Sequence, residues 1–440
     1  MDHDSIRKLK KMDQELVWHP FTQMREYAQE EPLIVERGEG CYLYDIEGKR
    51  YLDGVSSLWV NVHGHRKAEV DRAVCGQLEK VAHSTLLGVG NVPSVYLAEE
   101  LLKIAPKNLR KVFYSDSGST AVEIALKMAF QYWRQKGVSG RHKFITLENA
   151  YHGDTVGSVS VGGIELFHSI FKPLLFESFP IQNFSLEHAR KVFAEHANEA
   201  AACIIEPMIQ GASGMRLQAP GFVRGIRQLC DEFKVLLICD EVATGFGRTG
   251  KMFAVEHEGI APDFLCLAKG ISAGYLPLAA TLTTQEIFSA FEGSYIDFKS
   301  FFHGHSYTGN PLACAAALAN LKIFNEEKVI EGLKEKINFL AEELKKFSFH
   351  PHVLEVRQLG MMVGIELVQD RAARRPFPVE QRTAYRICLA ARKRGGLFRP
   401  LGDVLVLMPP LTITGQQIHE MVDILYRSLE EIIIPRSEGL

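Results

Sequence analysis

The stretch Val235-Leu236-Leu237-Ile238-Cys239-Asp240-Glu241 decides the fold. Five apolar residues run without alternation and stop at two carboxylates. A short run of this kind suits a strand buried on both faces, as in a parallel sheet covered by helices. The same design recurs in Ala202-Cys203-Ile204-Ile205-Glu206 and in Phe264-Leu265-Cys266-Leu267-Ala268-Lys269. Each is an apolar strand that ends on a charged side chain. Between the first two lies Gly221–Glu232, which has helical periodicity.

Working outward, the spacing predicts strands at Val112–Tyr114 and Lys143–Leu147 and helices at Arg66–Ala82, Ser94–Ile104 and Thr120–Gln135. Strands alternating with helices indicate an α/β fold with a mainly parallel sheet, helix-covered on both sides. Beyond Asn310 the pattern changes. An alanine-rich helix, Leu312–Glu326, leads into a helix at Lys328–Phe347, strands at Met361–Leu367 and Val404–Leu407, and a closing helix at Gly415–Glu430. Residues 1–60 read as a mobile start followed by short strands around Leu33–Val35 and Cys41–Tyr44, with turns at Gly38–Gly40 and Glu47–Gly48. The expected division is therefore a large domain over 61–319 and a smaller α+β domain built from 1–60 together with 320–440.

Composition narrows the classes. The chain has 440 residues, 46% hydrophobic and 23% charged, with a formal charge of −3. That is a globular balance without the basic excess that nucleic-acid binding needs. The longest apolar runs are far too short to span a membrane. The opening residues lack the apolar core of a signal peptide, so a cytoplasmic location is expected. The eight cysteines are scattered singly with no Cys-x-x-Cys spacing, which suits buried thiols in a reducing compartment.

In an open parallel sheet the carboxyl ends of the strands line one crevice, where ligands bind. Glu206, Asp240 and Lys269 would meet there, either as a buried ion pair or as a reactive site. Ser115-Asp116-Ser117-Gly118-Ser119-Thr120 sits between a strand and a long helix. Such a turn is an ordinary N-cap, and it also offers free N–H groups and the positive helix end to a phosphate. A phosphate cradle, a buried acid and a lysine in one crevice together match the needs of pyridoxal 5′-phosphate (PLP). Lys269 would attach the cofactor, Asp240 would keep its ring nitrogen protonated, and Tyr151 could stack on the ring.

Two other patterns point elsewhere and fail. Gly245-Phe246-Gly247-Arg248-Thr249-Gly250 has the spacing of a dinucleotide fingerprint, but it neither follows its strand directly nor has an acid ending the next strand. The pairs His63/His65 and His303/His305 lack companions at ligand spacing, so no metal site is expected.

The run Asp240-Glu241-Val242-Ala243-Thr244-Gly245-Phe246-Gly247-Arg248-Thr249-Gly250, followed by Lys269, resembles the signature of class III aminotransferases of PLP fold type I. Trp18-His19-Pro20-Phe21-Thr22, Tyr151-His152-Gly153-Asp154-Thr155 and His303-Gly304-His305-Ser306-Tyr307-Thr308-Gly309-Asn310-Pro311 are similar to motifs of one branch of that family. That branch aminates 8-amino-7-oxononanoate to 7,8-diaminononanoate in biotin synthesis, using S-adenosylmethionine or lysine as donor.

The resemblance implies a seven-stranded type of sheet, a homodimer with shared active sites, and a role for each matching residue. Lys269 is then the cofactor lysine and Asp240 the partner of the ring nitrogen. Gly118 and Ser119 hold the phosphate, and Tyr151 covers the ring. Gly304, His305 and Ser306 reach the site from the neighbouring subunit, with Ser306 where a threonine is commoner. Arg399 grips the keto-acid carboxylate. Phe21, Leu58 and Trp59 line the substrate pocket. Phe21 stands where members using S-adenosylmethionine often have tyrosine, and Leu58-Trp59 where they often have a tryptophan pair. Both donors therefore stay open, with a slight inclination to lysine. Another ω-aminotransferase of this family, acting on ornithine, 4-aminobutyrate or a diamine, remains the alternative.

Overall fold

Seven strands carry the molecule: β1 (Leu109–Ser115), β2 (Lys143–Leu147), β3 (Ser178–Ile181), β4 (Ala200–Ile205), β5 (Leu236–Asp240), β6 (Phe264–Leu267) and β7 (Ala279–Thr284). The computed structural model describes residues 1–433. The strand order is β1-β7-β6-β5-β4-β2-β3. β4, β5 and β6 run parallel in the centre, and only β7 is antiparallel to its neighbours.

Every residue of β4 and of β6 is buried, as their unbroken apolar runs require. Alternate side chains serve opposite faces. Ala202, Ile204, Ile238 and Cys266 cluster with Ala121, Ala125 and Met128 of the Gly118–Gln135 helix. Cys203, Ile205, Leu237 and Cys239 cluster with Phe222, Ile226 and Leu229 of the Phe222–Phe233 helix. Each such large side chain stabilises by roughly 1.5–3 kcal/mol when fully buried. The two helical faces lock the sheet between them, so the strand ends are free to define a rim.

The sequence pattern misses β3 and β7. β3 holds Pro180 and pairs only with β2, which is the edge position where proline is tolerated. β7 is Ala-Ala-Thr-Leu-Thr-Thr, too poor in large apolar side chains to announce a strand, yet buried through most of its length. The hairpin near the start is also displaced. Its first strand is Val35–Glu39 rather than Leu33–Val35, so Gly38 and Glu39, expected in a turn, pair with Leu43 and Tyr42. The turn falls at Gly40, whose φ of 54° glycine tolerates best.

The expected mobile start is instead helical. His3–Leu16 is an α-helix whose first turn is capped by Asp2 Oδ1, which accepts the Ser5 N–H at 2.8 Å. Lys10 ties this helix to Glu31 and, at 2.8 Å, to Glu47. None of its residues is buried, so caps and ion pairs hold it rather than a core face.

The two chain ends meet. Gly396 and Leu397 pair in parallel with Leu52 and Asp53, extending the sheet of the N-terminal hairpin. A second four-stranded sheet joins Val353–Leu359, Met362–Leu367, Val404–Leu407 and Arg399–Leu401. No helix among the described residues is long and apolar enough to cross a membrane.

Immediately after β5 the chain turns, and Glu241 organises the turn. Its buried carboxylate accepts the N–H groups of Ala254 and Val255 at 2.8 Å each and the Thr244 hydroxyl at 2.7 Å. Burial outweighs these donors and raises its pKa to about 7. The folded state thus holds this proton more tightly than the unfolded chain does. The contribution of Glu241 to stability is full below the unfolded value near 4.5 and is lost as pH rises through about 7, at a limit of roughly 1.4 kcal/mol per pH unit. Urea denaturation of the apoprotein across this window should carry that contribution, and Glu241→Gln should make the slope less negative by up to that amount. An equal slope in the variant would assign the linkage to other groups.

Candidate active site

The rim of the sheet brings the three charged strand ends together. Cys239 of β5 stands beside Ile205 of β4, and Asp240 beside Cys266 of β6. Glu206, Asp240 and Lys269 therefore surface on one side, one to three residues beyond these pairs. They line a cleft of about 740 Å³ with Trp59, Ser117, Gly118, Ser119, Tyr151, His152 and Asp154.

Asp240 is 5% exposed. Its Oδ2 lies 2.7 Å from His152 Nδ1, and its Oδ1 accepts the Val242 N–H at 3.0 Å. Of the two readings left open, the buried Asp–Lys ion pair is absent: among the described residues the close partner of Asp240 is His152, and Lys269 forms no salt bridge. Burial pushes the Lys269 amine below the usual lysine range, and the fields of Asp240 and Glu206 only partly oppose this. Lys269 Nζ is 5.6 Å from the centre of the Trp59 ring. Its backbone has φ of 45°, an uncommon left-handed value that costs about 1–3 kcal/mol without glycine.

Glu206 Oε2 accepts the Tyr151 N–H at 3.1 Å and Oε1 the Gly211 N–H at 2.9 Å. Burial, with the nearby Asp240 charge, raises its pKa to about 7. The Tyr151 hydroxyl donates to Asp154 Oδ2 at 2.8 Å, and burial shifts its own ionisation upward. Glu206 thus holds the Tyr151 backbone and Asp154 its hydroxyl, at the wall of the cleft.

Ser117 caps the Gly118–Gln135 helix reciprocally with Thr120: its Oγ accepts the Thr120 N–H at 3.3 Å, while its own N–H donates to Thr120 Oγ1 at 3.1 Å. The first-turn N–H groups of Gly118 and Ser119 have no acceptor within the helix. They face the cleft at the positive end of an 18-residue helix, a suitable setting for a phosphate. Ser119 Oγ accepts the Thr155 N–H at 3.0 Å, so its side chain joins this helix start to the Tyr151–Thr155 loop.

Ser56, Ser57, Leu58 and Trp59 all have positive φ, between 41° and 72°. Four consecutive left-handed residues without glycine need outside support. Asp53 Oδ2 accepts the Ser57 N–H at 2.6 Å and its hydroxyl at 2.8 Å, and lies 3.0 Å from His65 Nε2. From the other side Arg248 donates to Ser56 Oγ at 2.9 Å, to the Asn61 carbonyl at 2.8 Å and to the Pro409 carbonyl at 2.6 Å. Arg248 is fully buried, which lowers its pKa to about 10. The Gly245–Gly250 run that carries it opens no helix and consists of turns.

The remaining expected residues lie apart. Phe21 and Arg399 are exposed and adjacent, Arg399 Nη2 being 3.4 Å from the Phe21 carbonyl. Phe21 meets Phe167 at 5.5 Å, and Phe167 meets Tyr151 at 6.4 Å between ring centres. An aromatic path thus joins the Arg399 position to the cleft. Leu58 is 46% exposed. Gly304, His305 and Ser306 are on a loop outside the walls of this chain's cleft, with His305 Nε2 3.7 Å from Asp116 Oδ1. The histidine pairs have other partners: His63 meets Asn320, His65 meets Asp53 and His303 meets Lys127.

Sequence reasoning placed Glu206 at the crevice without giving it a role, and passed over His152, Asp154 and Arg248 as site residues. The Tyr151-His152-Gly153-Asp154 run was the available signal for His152 and Asp154. Arg248 stood inside both the set-aside glycine motif and the Asp240–Gly250 signature, neither of which gave it a role.

Residues 24–429 match the family model for class-III aminotransferases. The chain belongs to this family. An adenosylmethionine-8-amino-7-oxononanoate aminotransferase of Anoxybacillus flavithermus is 53% identical, covering 94% of this chain and 95% of that one. The crystal structure of the enzyme of that name from Methanocaldococcus jannaschii is 48% identical, covers 97% and 99% of the two chains, and superposes with a TM-score of 0.96. An amine transaminase from an uncultivated Pseudomonas species, in its PLP-bound form, is 37% identical with a TM-score of 0.90 over 95% and 99% of the chains. The fold is that of the PLP-dependent transaminases, PLP is the cofactor, and the chain is an aminotransferase.

The helix start tolerates no side chain at its first position. A Cβ on Gly118 would lie 2.5 Å from Val242 Cγ1. Valine has little rotamer freedom to move away. Gly118→Ala should therefore destabilise the protein by about 1–3 kcal/mol, and Val242→Ala should restore most of this in the double variant. Thermal unfolding of the two single variants and the double variant tests the contact; strict additivity would show that it does not exist.

Proposed function

We propose that this chain transfers an amino group to the ketone of 8-amino-7-oxononanoate, giving 7,8-diaminononanoate for biotin synthesis, with S-adenosylmethionine as donor. The observation that carries the reading is the cationic Arg399 beside Phe21, joined through Phe167 to Tyr151 at the cleft. A long, flexible keto acid has its carboxylate far from its ketone, and this layout offers a fork for the first and a reactive floor for the second. Relatives that are 53% and 49% identical over nearly the whole chain bear the name of that activity, and adenosylmethionine is part of the name.

The residues present fit PLP. Gly118 and Ser119 offer N–H groups for its phosphate, Asp240 an acceptor for its protonated ring nitrogen, Tyr151 a face for the ring and Lys269 an amine for covalent attachment. When bound, PLP supplies an electron sink for the negative charge left when a proton leaves the carbon bearing the amine. The rest is the work of the chain. Lys269 Nζ, whose charged form burial disfavours, can accept that proton and return it to the adjoining position. His152 holds Asp240 Oδ2, and Val242 holds its Oδ1, so the carboxylate is aimed before any ligand arrives. Trp59 lines the cleft beside Lys269, its ring centre 5.6 Å from the amine.

Several apolar side chains near the Gly304–Ser306 loop are exposed, among them Leu87 at 67%, Phe302 at 73% and Tyr307 at 63%. Such a concentration suits a protein interface. It supports a homodimer in which Gly304, His305 and Ser306 complete the partner's site, with two-fold symmetry.

Lys269→Ala should lose turnover while still binding PLP noncovalently, read by the loss of borohydride trapping; near-normal turnover would refute the assignment. Arg399→Ala should raise KM for the keto acid by about tenfold or more, with a smaller effect on the donor. Equal effects on both substrates would argue against a carboxylate clamp. Comparing S-adenosylmethionine with lysine as donor, with 8-amino-7-oxononanoate as acceptor, tests the donor directly; turnover with lysine alone would overturn it.

A further inference from the structure

Lys269 opens a tight 3₁₀ turn, Lys269–Ser272, in a backbone conformation that a lysine does not favour. Something must hold that turn. Within it, Ile271 N–H donates to the Ala268 carbonyl and Ala273 N–H to the Gly270 carbonyl, each at 3.1 Å. From outside, Asn320 donates both amide hydrogens, to the Gly270 carbonyl and to the Ile271 carbonyl, each at 2.9 Å. These are the two carbonyls that follow Lys269 in the chain.

Asn320 belongs to the Pro311–Glu326 helix and is fully buried. Its remaining polar atom, Oδ1, lies 2.8 Å from His63 Nε2. An amide with both N–H groups committed can only accept at Oδ1, so His63 must carry its proton on Nε2. Burial lowers the His63 pKa to about 4, which leaves the ring neutral in that tautomer at ordinary pH. Rotating the Asn320 amide by half a turn would set its oxygen against two carbonyl oxygens and its NH₂ against the His63 N–H. The amide orientation is thus fixed at each of its polar contacts, while His63 Nδ1 has no hydrogen-bond partner among the described residues. Neither His63 nor Asn320 lines the cleft.

We propose that Asn320, oriented by His63, is a positioning residue for Lys269. It pins the carbonyls behind the lysine, so that the strained turn presents the amine to the reacting carbon at one place and height. The inference rests on the reading of Lys269 as the lysine that attaches PLP. Without the clamp the turn can relax toward an ordinary backbone conformation and carry the amine with it. A displacement of about 1 Å at a reacting group can cost about 100-fold in rate.

The test uses the PLP-loaded enzyme and two readouts besides stability: the kcat and KM values, and the pH titration of the visible absorption band. Asn320→Leu keeps the branched shape and removes both donors. It should lower kcat about 10- to 100-fold, leave both KM values within about threefold, and move the midpoint of the band titration by about half a pH unit or more. His63→Phe, which frees the amide to turn, should shift the same quantities in the same direction, and His63→Gln, which retains a donor, should restore them. A folded Asn320→Leu enzyme with a lower melting temperature but unchanged kcat and titration would show a merely structural role and overturn the proposal. Should Asn320→Leu not fold, wild-type values for His63→Phe would overturn it equally. A wild-type enzyme without a visible band would overturn the reading of Lys269, and this inference with it, whereas a normal wild-type band with unaffected variants would overturn this inference alone.

Discussion

Burial of an amine without a salt bridge is the constraint on which the site depends. Lys269 reaches the floor of the cleft at the end of an all-apolar strand, within the fields of Asp240 and Glu206 but without either as a close partner. Had Asp240 bonded to Lys269, the lysine would stay charged and could not act as a nucleophile or base. Asp240 Oδ2 instead meets His152 at 2.7 Å, while the sheet keeps the acid and the lysine close in space.

That arrangement is held from behind by strain balanced against polar contacts. The left-handed run Ser56–Trp59 would not persist alone, and it is gripped by Asp53 on one side and Arg248 on the other. Arg248 also bonds the Pro409 carbonyl, so a single buried cation joins the N-terminal segment, the β5–β6 connection and the C-terminal segment. The cost of burying its charge is offset by three oxygen acceptors rather than by a carboxylate. The turn after Lys269 follows the same logic, with Asn320 as its brace. Trp59 and Lys269, both lining the cleft, are therefore braced by residues that do not line it.

The outer part of the site is built differently. Phe21, Phe167 and Arg399 are joined by ring contacts and one long hydrogen bond, and Phe21 is 57% exposed. Fewer buried contacts mean cheaper local rearrangement. A rigid floor for the chemistry and a more adaptable mouth for the substrate's far end is a division that suits an enzyme accepting two different amines and keto compounds in turn.

The chain's own order determined the central strands, because β4, β5 and β6 are apolar without interruption, and their terminal Glu206, Asp240 and Lys269 could be read off directly. It also determined the helix start at Ser117–Thr120, whose residues are local cap formers, and the motif that places the chain in its family. It could not reveal β7, which is a strand only because β1 and β6 flank it, nor the helix at His3–Leu16, which lacks a buried face and depends on caps and ion pairs. The partners of the reactive groups were beyond it as well. His152 lies 88 positions from Asp240, and Asn320 lies 50 from Gly270. Which polar groups meet across such distances depends on how the helices pack on the sheet, and that packing is decided by the whole core rather than by any local pattern. Local propensity settled where the acid and the lysine stand; only the tertiary structure settled that they are not paired with each other.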